Sequence, residues 1–117
     1  MSEYLENMGN QLNTKEIQNV CLEIMEEFDR FANEHHLRYY LAGGTLLGAV
    51  RHGGFIPWDD DVDLMMPRSD YEQLINLYQD NRYILSCCEK DPSYGTPFAR
   101  LWILKQFCPR IDLMRDR

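Results

Sequence analysis

Long apolar runs are missing from this chain. No segment approaches the roughly 20 consecutive apolar residues that a membrane-spanning helix requires. Met1 to Gln11 has no basic start and no apolar stretch, so it does not read as a signal peptide. C-x-x-C is absent, and no Cys/His spacing suggests a zinc site. Cys21, Cys87, Cys88 and Cys108 instead read as buried, reduced thiols, which fits a reducing cytoplasm. Positive charge is scarce: 12 Lys and Arg stand against 19 Asp and Glu, a formal net charge of −7. A protein without a basic face is a poor nonspecific ligand for nucleic acid or anionic lipid. A local basic pocket for a phosphorylated substrate remains compatible with that balance. Repeats and low-complexity stretches are also absent.

What is present is the composition of a folded domain. The hydrophobic fraction is 44%, and two Trp, seven Tyr and five Phe supply large core side chains. A length of 117 residues suits one small domain. Residues 1–12 read as a polar lead-in, and 13–117 as the domain. Asn13 and Glu16 have capping-box spacing and open a helix to about Asn33, with Ile17, Val20, Cys21, Ile24, Phe28 and Phe31 on one stripe. Glu16, Glu23, Glu27 and Arg30 fall mostly elsewhere on that wheel. His35-His36 closes the helix. Leu37 to Ala42 reads as a strand, with Tyr39 and Tyr40 on opposite faces. After Gly43-Gly44, Thr45 to Val50 reads as a short helix ended by Gly53-Gly54. Val62 to Met66 is the second strand, stopped by Pro67. Ser69 and Glu72 form a second capping-box pair, opening a helix to about Gln79. Tyr83 to Cys88, Phe98 to Leu104 and Ile111 to Met114 complete the strands. The order is that of a small layer structure, α/β or, as we take it, α+β.

The stretch Trp58-Asp59-Asp60-Asp61-Val62-Asp63-Leu64 carries the chemistry. Clustered carboxylates repel unless a cation or strong donors compensate. On a strand, residues two apart share a face, so Asp61 and Asp63 point the same way and can share a divalent ion. An acidic, solvated turn is the plain alternative. Against it stand the apolar strand that follows, the aromatic surroundings, and Gly43-Gly44-Thr45 shortly before, where a helix start offers N–H groups to phosphate. A calcium-binding helical hand would need Gly and Glu where Leu64 and Asp70 stand. An aspartyl-phosphate nucleophile would follow an apolar strand, whereas Asp61 precedes one.

The run from Leu41 to His52, with Gly54-Phe55-Ile56-Pro57-Trp58-Asp59-Asp60-Asp61-Val62-Asp63 after it, strongly resembles the signature of the LicD family. Arg38-Tyr39-Tyr40, Met66-Pro67-Arg68 and Asp70-Tyr71-Glu72 extend the resemblance, which covers roughly residues 15–104. It implies a nucleotidyltransferase-like fold, a small mixed sheet flanked by helices, here in an incomplete, N-terminal version. It implies transfer of a phosphorylated group, such as phosphocholine from CDP-choline, onto a cell-surface glycan or its lipid-linked precursor. Fukutin-type relatives transfer ribitol phosphate. By the same resemblance, Gly43, Gly44 and Thr45 hold donor phosphate, Asp61 and Asp63 bind Mg²⁺ or Mn²⁺, and the third acid, from a later strand, falls on Asp112. A cytoplasmic enzyme is implied, with a peripheral place at the membrane left open. The runner-up reading is a catalytically inactive fragment that still binds nucleotide and metal. Missing downstream sequence would leave an apolar face and favour self-association.

Other residues keep two readings each. Arg51 is either a phosphate clamp or a surface cation near a helix end. His52 is an acid–base group or a turn residue. Trp58 stacks on a base or choline-type cation, or packs beside the metal loop as core. Arg68 pairs with the acidic cluster or caps a helix start at the surface.

Overall fold

The helical stripe that opens the chain does what its spacing requires. In the computed structural model, which describes residues 13–103 and 110–115, α1 spans Thr14–Glu34. Asn13 Oδ1 accepts the Glu16 N–H at 2.8 Å, and Glu16 Oε1 accepts the Asn13 N–H at 3.3 Å, completing the capping box. Val20, Cys21, Ile24, Phe28 and Phe31 are buried. Two polar residues share that face, contrary to the expectation for Glu27: Gln18 and Glu27 are both buried. Glu27 is sustained there by hydrogen bonds from Arg30 and from Tyr78 Oη, the latter at 2.9 Å.

The remaining elements are β1 (Tyr40–Leu41), α2 (Gly43–His52), β2 (Val62–Met66), α3 (Arg68–Leu77), β3 (Tyr83–Ser86), β4 (Ala99–Ile103) and β5 (Arg110–Arg115). The sheet order is β1-β2-β5-β4-β3. Only β2 and β5 run parallel; the other neighbours are antiparallel. The α+β expectation and the small mixed sheet therefore hold. One sheet face packs into a core where Leu64, Met66, Leu101, Ile111 and Leu113 meet the apolar stripe of α1 and Tyr71, Leu74 and Ile75 of α3. No helix among the described residues is long and apolar enough to cross a membrane. The lead-in 1–12 and Cys108 lie outside the described residues, while Cys21 and Cys87 are buried free thiols and Cys88 is half-buried.

Three local expectations need correction. The first strand is two residues long rather than six. The Leu37 N–H closes the end of α1 on Ala32 O at 2.8 Å, and the Arg38 N–H goes to Asp70 Oδ2 at 2.6 Å, so neither is left for a ladder. The Ser69–Glu72 capping box does not form, because Pro67 is the N-cap, Ser69 Oγ donates to Asp70, and Glu72 pairs with Arg68. That pairing also places Arg68 at the surface rather than on the acidic cluster. Helix α3 ends at Leu77 because Tyr78 turns extended and sends its ring into the core. The two tyrosines do divide as their alternation requires: Tyr39 packs against the core, edge-on to Phe28 at 5.1 Å, and Tyr40 is exposed.

Candidate metal centre

Strand β2 alternates as its sequence dictates. Val62, Leu64 and Met66 face the core, and Asp63 and Met65 face away from it. Asp61 immediately precedes the strand and shares the side of Asp63. Parallel pairing sets Asp63 opposite Asp112 on β5, whose neighbours Ile111 and Leu113 point into the core. The outcome is one cluster: a carboxylate oxygen from each of Asp61, Asp63 and Asp112 lies within 4.8 Å of the others. A second group, Asp59, Asp60 and Asp61, has the same spread and shares Asp61. Asp59 is not on the strand; it hangs from the loop that leads into it.

That loop is held from behind by α1. Gln18 Nε2 donates to Asp59 O at 2.8 Å and lies 3.3 and 3.4 Å from Ile56 O and Pro57 O. Cys21 Sγ sits 3.7 Å from Asp60 O. The sequence carries a signal for Gln18 that its residue type alone does not: it is a polar side chain three residues before Cys21, on the buried stripe. Trp58 does not pack beside the loop as core. It lies at the tip of the turn and is 78% exposed, while Phe55 turns inward in its place.

The glycine turn abuts the acids. Gly43 has φ +51°, and a Cβ there would stand 3.1 Å from Asp63 Oδ2. At Gly44 a Cβ would stand 2.9 Å from Asp59 Oδ2. Helix α2 begins here with Ala42 as N-cap and no side-chain cap, so its first N–H groups have no partner from such a cap. Thr45 Oγ1 accepts the Asp63 N–H at 2.8 Å, and the Ala42 N–H donates to Asp63 O at 3.0 Å. The backbone of Asp63 is thereby fixed on both sides. Arg51 and His52 occupy the exposed last turn of α2. At ~1.5 Å rise per residue, Arg51 stands about 12 Å along the axis from the Gly43 end. It forms no ion pair among the described residues, and the geometry does not bring it to the acids.

Electrostatics register the crowding. Burial, then repulsion from Asp61, Asp112 and Asp59, pushes the Asp63 carboxyl up to about 6. Burial and Asp61 likewise raise Asp59. Asp112 is raised by burial against the opposing pull of Arg110 and Arg100. Arg100 Nε donates to Asp112 Oδ1 at 3.1 Å, and Arg110 lies 3.4 Å from the same oxygen and 3.9 Å from Asp61 Oδ2. Two cations therefore partly offset five carboxylates. The donor set suits a small, hard divalent ion. Mg²⁺ holds oxygens at about 2.1 Å, hence about 3–4.2 Å apart, so modest side-chain rotations would close this cluster on it. The apolar cavity of about 180 Å³ between Leu22, Met25, Ala49 and Phe55 includes no acid and belongs to the packing of α2 against α1.

Comparison with known proteins matches part of this chain to a family. The family model described as LicD/FKTN/FKRP, nucleotidyltransferase domain, matches residues 36–102, which hold the glycine turn, the acidic loop and β2. The chain is 44% identical over 68 residues to the lipopolysaccharide cholinephosphotransferase LicD of Haemophilus influenzae, covering 58% of this chain and 26% of that protein. It is 50% identical over 48 residues to the human ribitol 5-phosphate transferase FKRP, covering 38% of this chain and 10% of that protein. An uncharacterized protein of Rickettsia prowazekii is 33% identical over 67 residues, covering 55% of this chain and 25% of the relative. The chain thus spans about a quarter or less of the length of these relatives. With its glycine turn, acidic loop and strand β2 all inside the matched span, the chain belongs to the LicD/FKTN/FKRP family.

Proposed function

We propose that this chain carries the metal- and donor-binding face of a LicD-type phosphotransferase on a nucleotidyltransferase-like fold. The reaction moves a phosphorylated group from a nucleotide-activated donor to a glycan or glycan precursor. The names of the relatives, a cholinephosphotransferase and a ribitol 5-phosphate transferase, support phosphocholine or a polyol phosphate as the cargo; CDP-choline, which the family resemblance implies, is the donor to test first. The observation that carries the reading is the meeting of Asp61, Asp63 and Asp112 beside the open N-terminal turn of α2.

In this reading Asp61, Asp63 and Asp112 hold Mg²⁺ or Mn²⁺. When bound, the ion supplies charge neutralisation on the donor diphosphate and the leaving nucleotide. The chain's own groups do the rest. The N–H groups after Gly43-Gly44 receive phosphate oxygens at a helix start, where the dipole favours negative charge. Thr45 uses an oxygen lone pair on the Asp63 N–H and keeps its O–H to donate. Gln18 keeps the acidic loop in place.

The test is calorimetric titration of Mg²⁺ into the wild type, Asp63→Asn and Asp112→Asn, followed by assay of CDP-choline turnover with a glycan acceptor. Loss of affinity in both variants supports the reading. Equal affinity in all three proteins overturns it. Mg²⁺ binding without turnover identifies a binding unit rather than a complete catalyst.

A further inference from the structure

Arg110 stands where a metal would compete with it. It lies on β5 two residues before Asp112, on the same sheet face, with its side chain 21% exposed. Its guanidinium lies between two members of the acid cluster, 3.4 Å from Asp112 Oδ1 and 3.9 Å from Asp61 Oδ2. Those separations are longer than the usual charge-assisted hydrogen bond of about 2.7–2.9 Å. Arg100 is held differently. Its Nε hydrogen-bonds Asp112 at 3.1 Å, and its guanidinium lies over the rings of Phe98 and Trp102 at 5.4 and 5.9 Å. One arginine is fastened to the third acid by a hydrogen bond and two rings. The other stands between two acids of the cluster, within reach of both.

We infer that Arg110 is an exchangeable internal cation of this site and the arginine that grips the donor's diphosphate once a divalent ion is on the acids. The inference rests on the metal reading above and assigns Arg110 a role within it. A divalent ion on Asp61 and Asp112 offsets their attraction for the guanidinium and adds repulsion of its own. Arg110 remains tethered beside the ion, with a planar fork suited to two phosphate oxygens at once. The positive charge that faced the acids then faces the anionic ligand the ion recruits. Arg51, exposed at the far end of α2, is less well placed for this task.

The two roles have opposite signs, which a merely structural residue would not show. Arg110→Gln should bind Mg²⁺ more tightly in the absence of nucleotide, on the order of tenfold, because a competing unit charge a few ångströms away is gone. The same variant, saturated with Mg²⁺, should bind inorganic pyrophosphate about tenfold more weakly, because a bidentate partner is lost. Arg110→Lys should keep the wild-type Mg²⁺ affinity and still lose pyrophosphate affinity, since an ammonium has the charge without the fork. Titration calorimetry on the full chain reads all three, and circular dichroism confirms that each variant is folded. If the wild type binds Mg²⁺ and folded Arg110→Gln binds it no more tightly, this inference falls and the metal reading stands. If neither protein binds Mg²⁺, the metal reading falls and takes the inference with it.

Discussion

Thr45 accepts the backbone N–H of Asp63 at 2.8 Å, so the residue after the glycine pair helps set the position of an acid of the cluster. The bond spans two elements, α2 and β2, and uses the hydroxyl as acceptor. Thr45→Val keeps the shape and removes the acceptor. It should lower stability by about 1–3 kcal/mol, the range for stranding a buried polar group. Thr45→Ser, which keeps the oxygen, should stay close to wild type. Urea unfolding monitored by circular dichroism checks the pair. Equal midpoints for the Val and Ser variants would show that the contact does not matter.

The raised carboxyl of Asp63 gives a pH dependence of definite sign. Its folded value of about 6 lies above the ordinary 3.8, so the protonated form is favoured in the fold. Its stabilising contribution is present below about pH 4 and is lost as pH rises through 6. The metal-free chain should therefore lose stability across that window, and Asp59 and Asp112, also raised, act in the same direction. Asp70, held down to about 2 mainly by its hydrogen bonds from Arg38, acts with the opposite sign and below that window. Asp63→Asn should flatten the slope between pH 4 and 7. Mg²⁺ affinity should climb over the same interval, because the proton and the ion compete for one carboxylate. Thermal melts at fixed ionic strength, with and without Mg²⁺, read both effects.

Gly43 and Gly54 should respond differently to the same substitution. Gly43 has φ +51°, and its missing Cβ would press on Asp63 Oδ2 at 3.1 Å. At Gly54 an added Cβ would meet nothing within 4 Å. Gly43→Ala should cost about 1–2 kcal/mol for the left-handed backbone and should weaken Mg²⁺ binding by displacing Asp63. Gly54→Ala should remain within about 0.5 kcal/mol of wild type. Comparable losses in both variants would remove the special status of the glycine turn.

Much of this was legible in the sequence where a periodic pattern met a matching partner. The stripe from Ile17 to Phe31 located α1 because burial of that face is decided within one helix. The alternation Val62-Asp63-Leu64 assigned the two sides of β2 for the same reason. The family signature marked Asp61 and Asp63 and left Asp112 only as the candidate for a third acid, because the register that sets Asp112 beside Asp63 joins residues 49 positions apart and is decided by tertiary pairing. The misses share that cause. Ser69 and Glu72 had the spacing of a cap, yet Asp70 was claimed by Arg38 from another part of the chain and Ser69 followed it. Leu37 and Arg38 looked like strand, yet their donors were taken by Ala32 and Asp70. Trp58 looked like core by its chemistry, and its place at the tip of a turn overrode that.

The place of β5 in the sheet carries a consequence for the order of folding. It is last along the described chain and central in space, between β2 and β4. Before it docks, the antiparallel pairs β1–β2 and β3–β4 are separate ribbons without a common ladder. Asp61 and Asp63 then have no third acid beside them, and their repulsion is shared with water. Docking brings Ile111 and Leu113 into the core and, in the same motion, Asp112 onto the crowded face with Arg110 and Arg100 alongside. Hydrophobic closure and electrostatic loading of the site thus occur as one event. Arriving on the same strand, Arg110 meets the charge at the moment that charge is created.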